Sequence, residues 1–236
     1  MVIFFVKLEQ ELEKHADKKQ ASILQGFFKT GAGQYGEGDV FLGIKVPVQR
    51  KIAKQFLDLS IGEIQELLNS KIHEKRLISL FILIDKYRNA DERGRKEIFD
   101  FYLRNAKNIN NWDLVDLSAP NIAGDFLIDK DREVLYKLIE SDNLWERRIA
   151  VLSCFAFIRA GEFEDALKIS ELLLDDKHDL IHKAVGWMLR EIGKRNEEIL
   201  EEFLKKHYKE MPRTMLRYSI ERFEEEKRKR YLRGEI

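Results

Sequence analysis

Apolar residues recur at spacings of three and four through almost the whole chain, as in Leu77, Leu80, Phe81 and Ile84 or Leu167, Ile169, Leu172 and Leu173. That period marks one face of an α-helix and is incompatible with the two-residue alternation of a half-buried strand. It predicts about a dozen short helices. Only 3 prolines interrupt the 236 residues, whereas a sandwich or barrel needs frequent turn residues, so the expected class is all-α. Helix starts are also readable. Ser60-Ile61-Gly62-Glu63 spells a capping box, Asn196 precedes Glu197 and Glu198 in a first turn, and Pro47 and Pro212 fit first helical positions. One Gly-rich stretch, Thr30 to Val46, breaks the helical pattern.

A repeat emerges when EKRLISL (74–80), ERRIAVL (146–152) and HKAVGWM (182–188) are stacked on their basic residue, which puts Arg76, Arg148 and Lys183 in register. The first two lie 72 residues apart, twice 36, and the last two lie 35 apart. Trp112 falls 36 residues beyond Arg76, and Arg217 falls 34 beyond Lys183. A period near 35 is that of stacked helix hairpins of the HEAT kind, so the expectation is an α-α superhelix forming one concave solenoid domain over residues 1–236. Equivalent positions in stacked repeats share a wall. Arg76, Trp112, Arg148, Lys183 and Arg217 would then form a ladder able to hold a phosphate backbone and present an aromatic to a base or sugar. The competing reading makes each cation a flank of an exposed helix face with ordinary ion pairs. The same two readings apply to KRKR at 227–230, which is interspersed with Glu221 and Glu224 to Glu226.

Composition narrows the field further. Lys and Arg number 42, as do Asp and Glu, so any nucleic-acid reading rests on local clustering and not on net charge. The single cysteine, Cys154, excludes an internal disulfide and reads as a small buried hydrophobe in LSCFAF. The start, MVIFFVKLEQELEKH, turns charged too soon for a signal peptide or a membrane span, so a cytoplasmic location without membrane contact is expected. GAGQYG (31–36) satisfies G-x-G-x-x-G but lacks the preceding strand and following helix of a dinucleotide site. It reads instead as a turn between approaching helices or a small hairpin insertion. The five histidines show no metal-ligand spacing, and neither metal nor cofactor is expected.

Two positions carry candidate chemistry. Trp112 and Asp116 stand one helical turn apart on one face, an indole platform beside a carboxylate, whereas Asp113 projects about 100° away and reads as a capping or structural group. Such a carboxylate can stabilise a developing oxocarbenium ion and orient the water that captures it. Trp112 as a plain core aromatic is the alternative. Lys183 and Trp187 are likewise one turn apart, with Arg190 three residues on, and Arg148 occupies the repeat position between the two groups. Together these side chains could enclose one nucleotide, the arginine on a phosphate.

The strings FLGIKVP (41–47), NNWDLVD (110–116), SDNLWERRIAVL (141–152) and KAVGWMLRE (183–191), in that order, resemble the signature blocks of the AlkD-type DNA alkylation repair family. The resemblance spans roughly residues 20–200. It implies a HEAT-like superhelix and hydrolysis of the N-glycosidic bond of cationic N3- and N7-alkylated purines in duplex DNA, without a cofactor and without burying the lesion in a deep pocket. By position, Asp116 would be the catalytic carboxylate, Trp112 and Trp187 the indoles flanking the lesion, and Arg148 the backbone-gripping cation; Lys183, Arg190, Arg76 and Arg217, read from repeat register and helical spacing, are expected as further DNA contacts. Phe27 stands where a family member has a DNA-contacting tyrosine, and Gly31 to Asp39 looks like an acidic insertion. Family branches with an inserted hairpin are understood to favour branched DNA. The function expected is therefore a monomeric alkylpurine DNA glycosylase. A non-catalytic binder of damaged or branched DNA is the second reading, and a HEAT-type scaffold for protein partners the third.

Overall fold

A computed structural model of the chain describes residues 2–236, with side chains from residue 6 onward; Met1 and the side chains of the apolar start lie outside the described residues. Among the described residues there are fifteen α-helices and no strand beyond a single parallel bridge between Val40 and Ile72. The chain divides into two compact units, Met1–Ser118 and Ala119–Ile236.

The first unit holds α1 (Val2–His15), α2 (Lys18–Phe27), α3 (Val46–Gln55), α4 (Ile61–Leu68), α5 (His73–Asn89), α6 (Glu92–Arg104) and α7 (Trp112–Ser118). α5 is its centre. Leu77, Ile78, Leu80, Ile82, Leu83 and Ile84 are all buried, so the middle turns of this helix are packed on several sides, against α3, α4, α6 and α7. Ser60 and Glu63 close the capping box at the start of α4, each accepting the other's backbone N–H. No helix forms between Phe27 and Val46, as the glycines require, and the segment runs as turns without a hairpin. Its FLGI portion is fixed by Glu74, whose buried carboxylate accepts the backbone N–H groups of Leu42, Gly43 and Ile44 at 2.8–3.2 Å.

The second unit holds α8 (Ala123–Phe126), α9 (Glu133–Ile139), α10 (Leu144–Ala160), α11 (Glu164–Leu172), α12 (Asp179–Gly193), α13 (Glu197–His207), α14 (Arg213–Ser219) and α15 (Glu225–Arg233). α10, α12 and α14 pack in succession, and α9, α11 and α13 pack against them as a second layer, the two-layer stacking of HEAT-like repeats. Arg148, Lys183 and Arg217 each occupy the fifth residue of their helix. Asn196 caps α13 through Ile199 N–H, whereas Pro212 sits at the N-cap of α14, one position before the first helical residue expected for it. Cys154 is buried on α10, where loss of solvation pushes its thiol well above the ordinary range, with the Asp165 charge adding to the rise. No helix among the described residues is long and apolar enough to cross a membrane.

The contact between α12 and α14 depends on one missing side chain. A Cβ at Gly186 would stand 2.5 Å from the Tyr218 Cβ and 2.6 Å from the Met215 carbonyl oxygen. Gly186→Ala is therefore expected to lower stability by about 1–3 kcal/mol, the range for overpacking a close-packed contact, read as a lower urea midpoint; an unchanged midpoint would show that α14 shifts without cost.

Candidate functional site

In the first unit the site is built around α7. Trp112 is its first residue and Asp116 follows one turn later, both half-buried. Two aromatic rings frame the indole. Phe28 stacks on it with centroids 5.1 Å apart and planes at 23°, and Phe27, 61% exposed, meets it edge-on at 5.8 Å and 72°. Behind Phe28, Phe41 stacks at 5.1 Å and in turn lies 4.6 Å from the His73 ring. Phe28, Phe41 and Ala21 form a small core to which Leu24 and Trp112 are added. The indole N–H donates to the Tyr35 hydroxyl at 3.2 Å, so the Gly-rich segment takes part in the site.

Beneath this aromatic layer lies a buried charge network. His73 bridges two carboxylates, its Nδ1 3.2 Å from Asp39 and its Nε2 2.8 Å from Asp113. Asp39 also accepts from the Arg76 guanidinium at 2.6 Å and from the Asn111 amide at 3.2 Å. Asn111 in turn accepts the Trp112 backbone N–H at 2.8 Å. Both neighbours of Trp112, Asn111 and Asp113, are thus tied to one buried centre. Burial opposes charge on His73, yet Asp113 and Asp39 outweigh it and raise the imidazole from its ordinary 6.5 to about 9. Burial likewise works against the Asp39 carboxylate, but His73 and Arg76 hold its pKa below the usual range. At the other end of α7, the single proton of Ser118 goes to the Leu114 carbonyl at 2.6 Å, so Tyr102 donates to the Ser118 oxygen at 2.9 Å.

This geometry corrects one expectation. Arg76 does not face solvent: it is 4% exposed and its guanidinium is committed to Asp39 and the Ser70 carbonyl, so it drops out of the exposed ladder. Asp39, one of the acids of the Gly-rich stretch, is the buried hub of the network. His73, Phe28, Phe41, Tyr35 and Asn111 were not singled out in the sequence; the only local signal was that Asn111 and Asp113 flank Trp112 directly.

In the second unit Arg148 is equally buried, at 4% exposure, and donates to the Leu180 carbonyl at the start of α12. Lys183 pairs with Asp179 at 2.7 Å, and Arg190 pairs with Glu221. Trp187 is half-buried beside Phe155 at 5.8 Å, and the Arg159 guanidinium lies over the Phe155 ring, 4.0 Å from its centroid. Arg217 is exposed. In the C-terminal cluster, Lys227, Arg228 and Lys229 all pair with glutamates, the solvated-helix arrangement. Among the described residues no group of three or more His, Cys, Asp or Glu side chains is placed to hold a metal ion. A half-buried carboxylate one turn from a fixed indole suits the first unit to hold a flat or sugar surface and to stabilise positive charge beside it.

The His73 shift fixes a pH dependence. Below pH 6.5 folded and unfolded chains both carry the proton and the stabilisation is complete; between 6.5 and about 9 only the folded chain holds it, so the stabilisation drains away as pH rises. Urea unfolding is expected to show a loss on the order of 3 kcal/mol across that window, and His73→Gln to remove that pH dependence. Equal slopes for the two chains would refute the charged bridge.

The family model described as DNA alkylation repair enzyme matches residues 8–223. No curated protein matches the sequence. Among solved structures, one described as a predicted DNA alkylation repair enzyme from Enterococcus faecalis superposes with a TM-score of 0.68 at 16% identity, covering 89% of this chain and 98% of that one. AlkD2 from Streptococcus mutans superposes with a TM-score of 0.53 at 19% identity, covering 88% and 99%. These likenesses establish a shared all-helical fold, while the family match runs through both units and nearly the whole length: the chain belongs to the DNA alkylation repair enzyme family.

Proposed function

We propose that this chain is a DNA glycosylase that hydrolyses the N-glycosidic bond of cationic N3- and N7-alkylated purines in duplex DNA, its two units working as one repair domain. The observation that carries the proposal is Asp116, a half-buried carboxylate one helical turn from the Trp112 indole, whose own position is fixed by Phe28, Tyr35 and Asn111. The family match supports DNA as the substrate polymer.

The chemistry needs little more. An alkylated purine already carries positive charge, so it departs without protonation. The electrons of the breaking C1′–N bond neutralise the base, and positive charge passes to the sugar as an oxocarbenium ion. A carboxylate beside that sugar is strongest when the charge is greatest, which lowers the barrier and not merely the energy of binding. Water then adds at C1′ and gives up a proton, leaving an abasic site and a neutral free base. Asp116 supplies the carboxylate in this reading, Trp112 a surface against the lesion nucleotide and Phe27 an exposed apolar edge, while Trp187 presents the second unit's indole to the DNA. Lys183, Arg190 and Arg217 contact phosphates. Arg148, being buried, contributes by fixing the start of α12 through Leu180.

Single-turnover release of 7-methylguanine and 3-methyladenine from methylated duplex DNA tests the reading. The wild-type chain is expected to release both, and Asp116→Asn to slow release by roughly 100-fold or more, the size of effect found when one electrostatic stabiliser is removed, while DNA affinity changes little. Affinity itself is expected to fall steeply with salt. No release by either chain, with tight salt-dependent binding to junction DNA, would replace the glycosylase reading with that of a DNA-structure binder; no salt-dependent binding would leave a scaffold.

A further inference from the structure

We propose that the Gly-rich loop, Gly31 to Asp39, is the positioning element of the candidate site, holding the Trp112 indole at its N–H edge through Tyr35 and at its backbone through Asp39. The inference rests on the glycosylase reading and adds to it the residues that place the indole relative to Asp116. Stacking on Phe28 fixes the plane of the indole, but stacked rings slide and a flipped ring stacks equally well. A directional N–H···O bond distinguishes these poses. The Trp112 Nε1–H to Tyr35 hydroxyl contact, 3.2 Å, is such a bond. The same hydroxyl lies 3.5 Å from the Phe27 carbonyl oxygen, so Tyr35 links the two aromatic residues that face outward.

The loop is itself anchored at both ends of this contact. Gly36 donates to the Lys29 carbonyl at 3.1 Å, and a Cβ there would stand 2.4 Å from the Phe28 carbonyl oxygen, so only glycine lets the loop lie against the end of α2 directly beside Tyr35. Three residues on, Asp39 enters the core and holds His73, Arg76 and Asn111. Asn111 and the His73 partner Asp113 are the residues before and after Trp112. One loop thus grips the same tryptophan from its side chain and from its backbone. Displacing a surface that orients the sugar by even 1 Å can cost as much as 100-fold in rate, which gives the grip a kinetic consequence.

Tyr35→Phe removes the hydroxyl and leaves the ring. Single-turnover release from methylated duplex DNA is expected to fall roughly 5- to 10-fold, the rate equivalent of one net hydrogen bond, with DNA affinity kept within about twofold by the same measure. In ¹H–¹⁵N spectra of the DNA-free protein, the Trp112 indole N–H resonance, assigned by its loss in Trp112→Phe, is expected to move upfield. An unmoved resonance, an unchanged rate, or a rate loss matched by weaker DNA binding would each overturn the proposal. Were the wild-type chain to release no base, the glycosylase reading would fall, and the indole resonance alone would decide whether the loop holds Trp112.

Discussion

The Asp39 carboxylate is the contact on which the first unit's site is organised. Taken out of water it would be costly alone, but it accepts from an imidazole, a guanidinium and a carboxamide at once, and His73 carries the arrangement on to a second carboxylate, Asp113. Two acids and two bases balance in the interior. Removing Asp39 would take from the buried Arg76 the carboxylate it is paired with, a loss of roughly 3–5 kcal/mol in comparable cases. Such networks define geometry more than they add stability, because an apolar core tolerates slippage whereas a set of directional bonds does not. The result is that α7, only seven residues long and too short to persist by itself, is held at its start by Asn111 and Asp113 and at its end by Tyr102 and Ser118.

Much of the fold and part of this site could be read from the sequence. The three-and-four spacing specified helices, the capping box at Ser60 and the cap at Asn196 marked their starts, and the four-residue separation of Trp112 and Asp116 put both on one short helix. The period near 35 survives as the shared fifth position of Arg148, Lys183 and Arg217 in α10, α12 and α14. What was hidden is pairing over long separations. Arg76 looks like a surface cation in EKRLISL because its partner, Asp39, lies 37 residues away in a loop that local pattern reads as an acidic insertion. The same blindness applies to His73, a lone histidine until Asp39 and Asp113 arrive on either side of it.

The second unit shows a related economy. Its repeated basic positions do not all serve one purpose: Arg148 is turned inward to the Leu180 carbonyl, Lys183 is half-exposed and paired, and Arg217 stands in solvent. A repeat conserves the geometry of a position along the stack, while the layer covering it decides whether the side chain there stabilises the neighbouring helix or remains available to a ligand. Small residues set the spacing that makes this possible, Gly186 letting α14 approach α12 by backbone contact.

The seat of Cys154 has a chemical consequence for a protein of this family. Alkylating agents attack the strongest nucleophile they can reach, and a thiolate outranks the ring nitrogens of DNA. The one sulfhydryl in this chain is enclosed within α10 and kept in its protonated form by the absence of water around it. At Cys154 the chain therefore offers electrophiles no exposed sulfur anion.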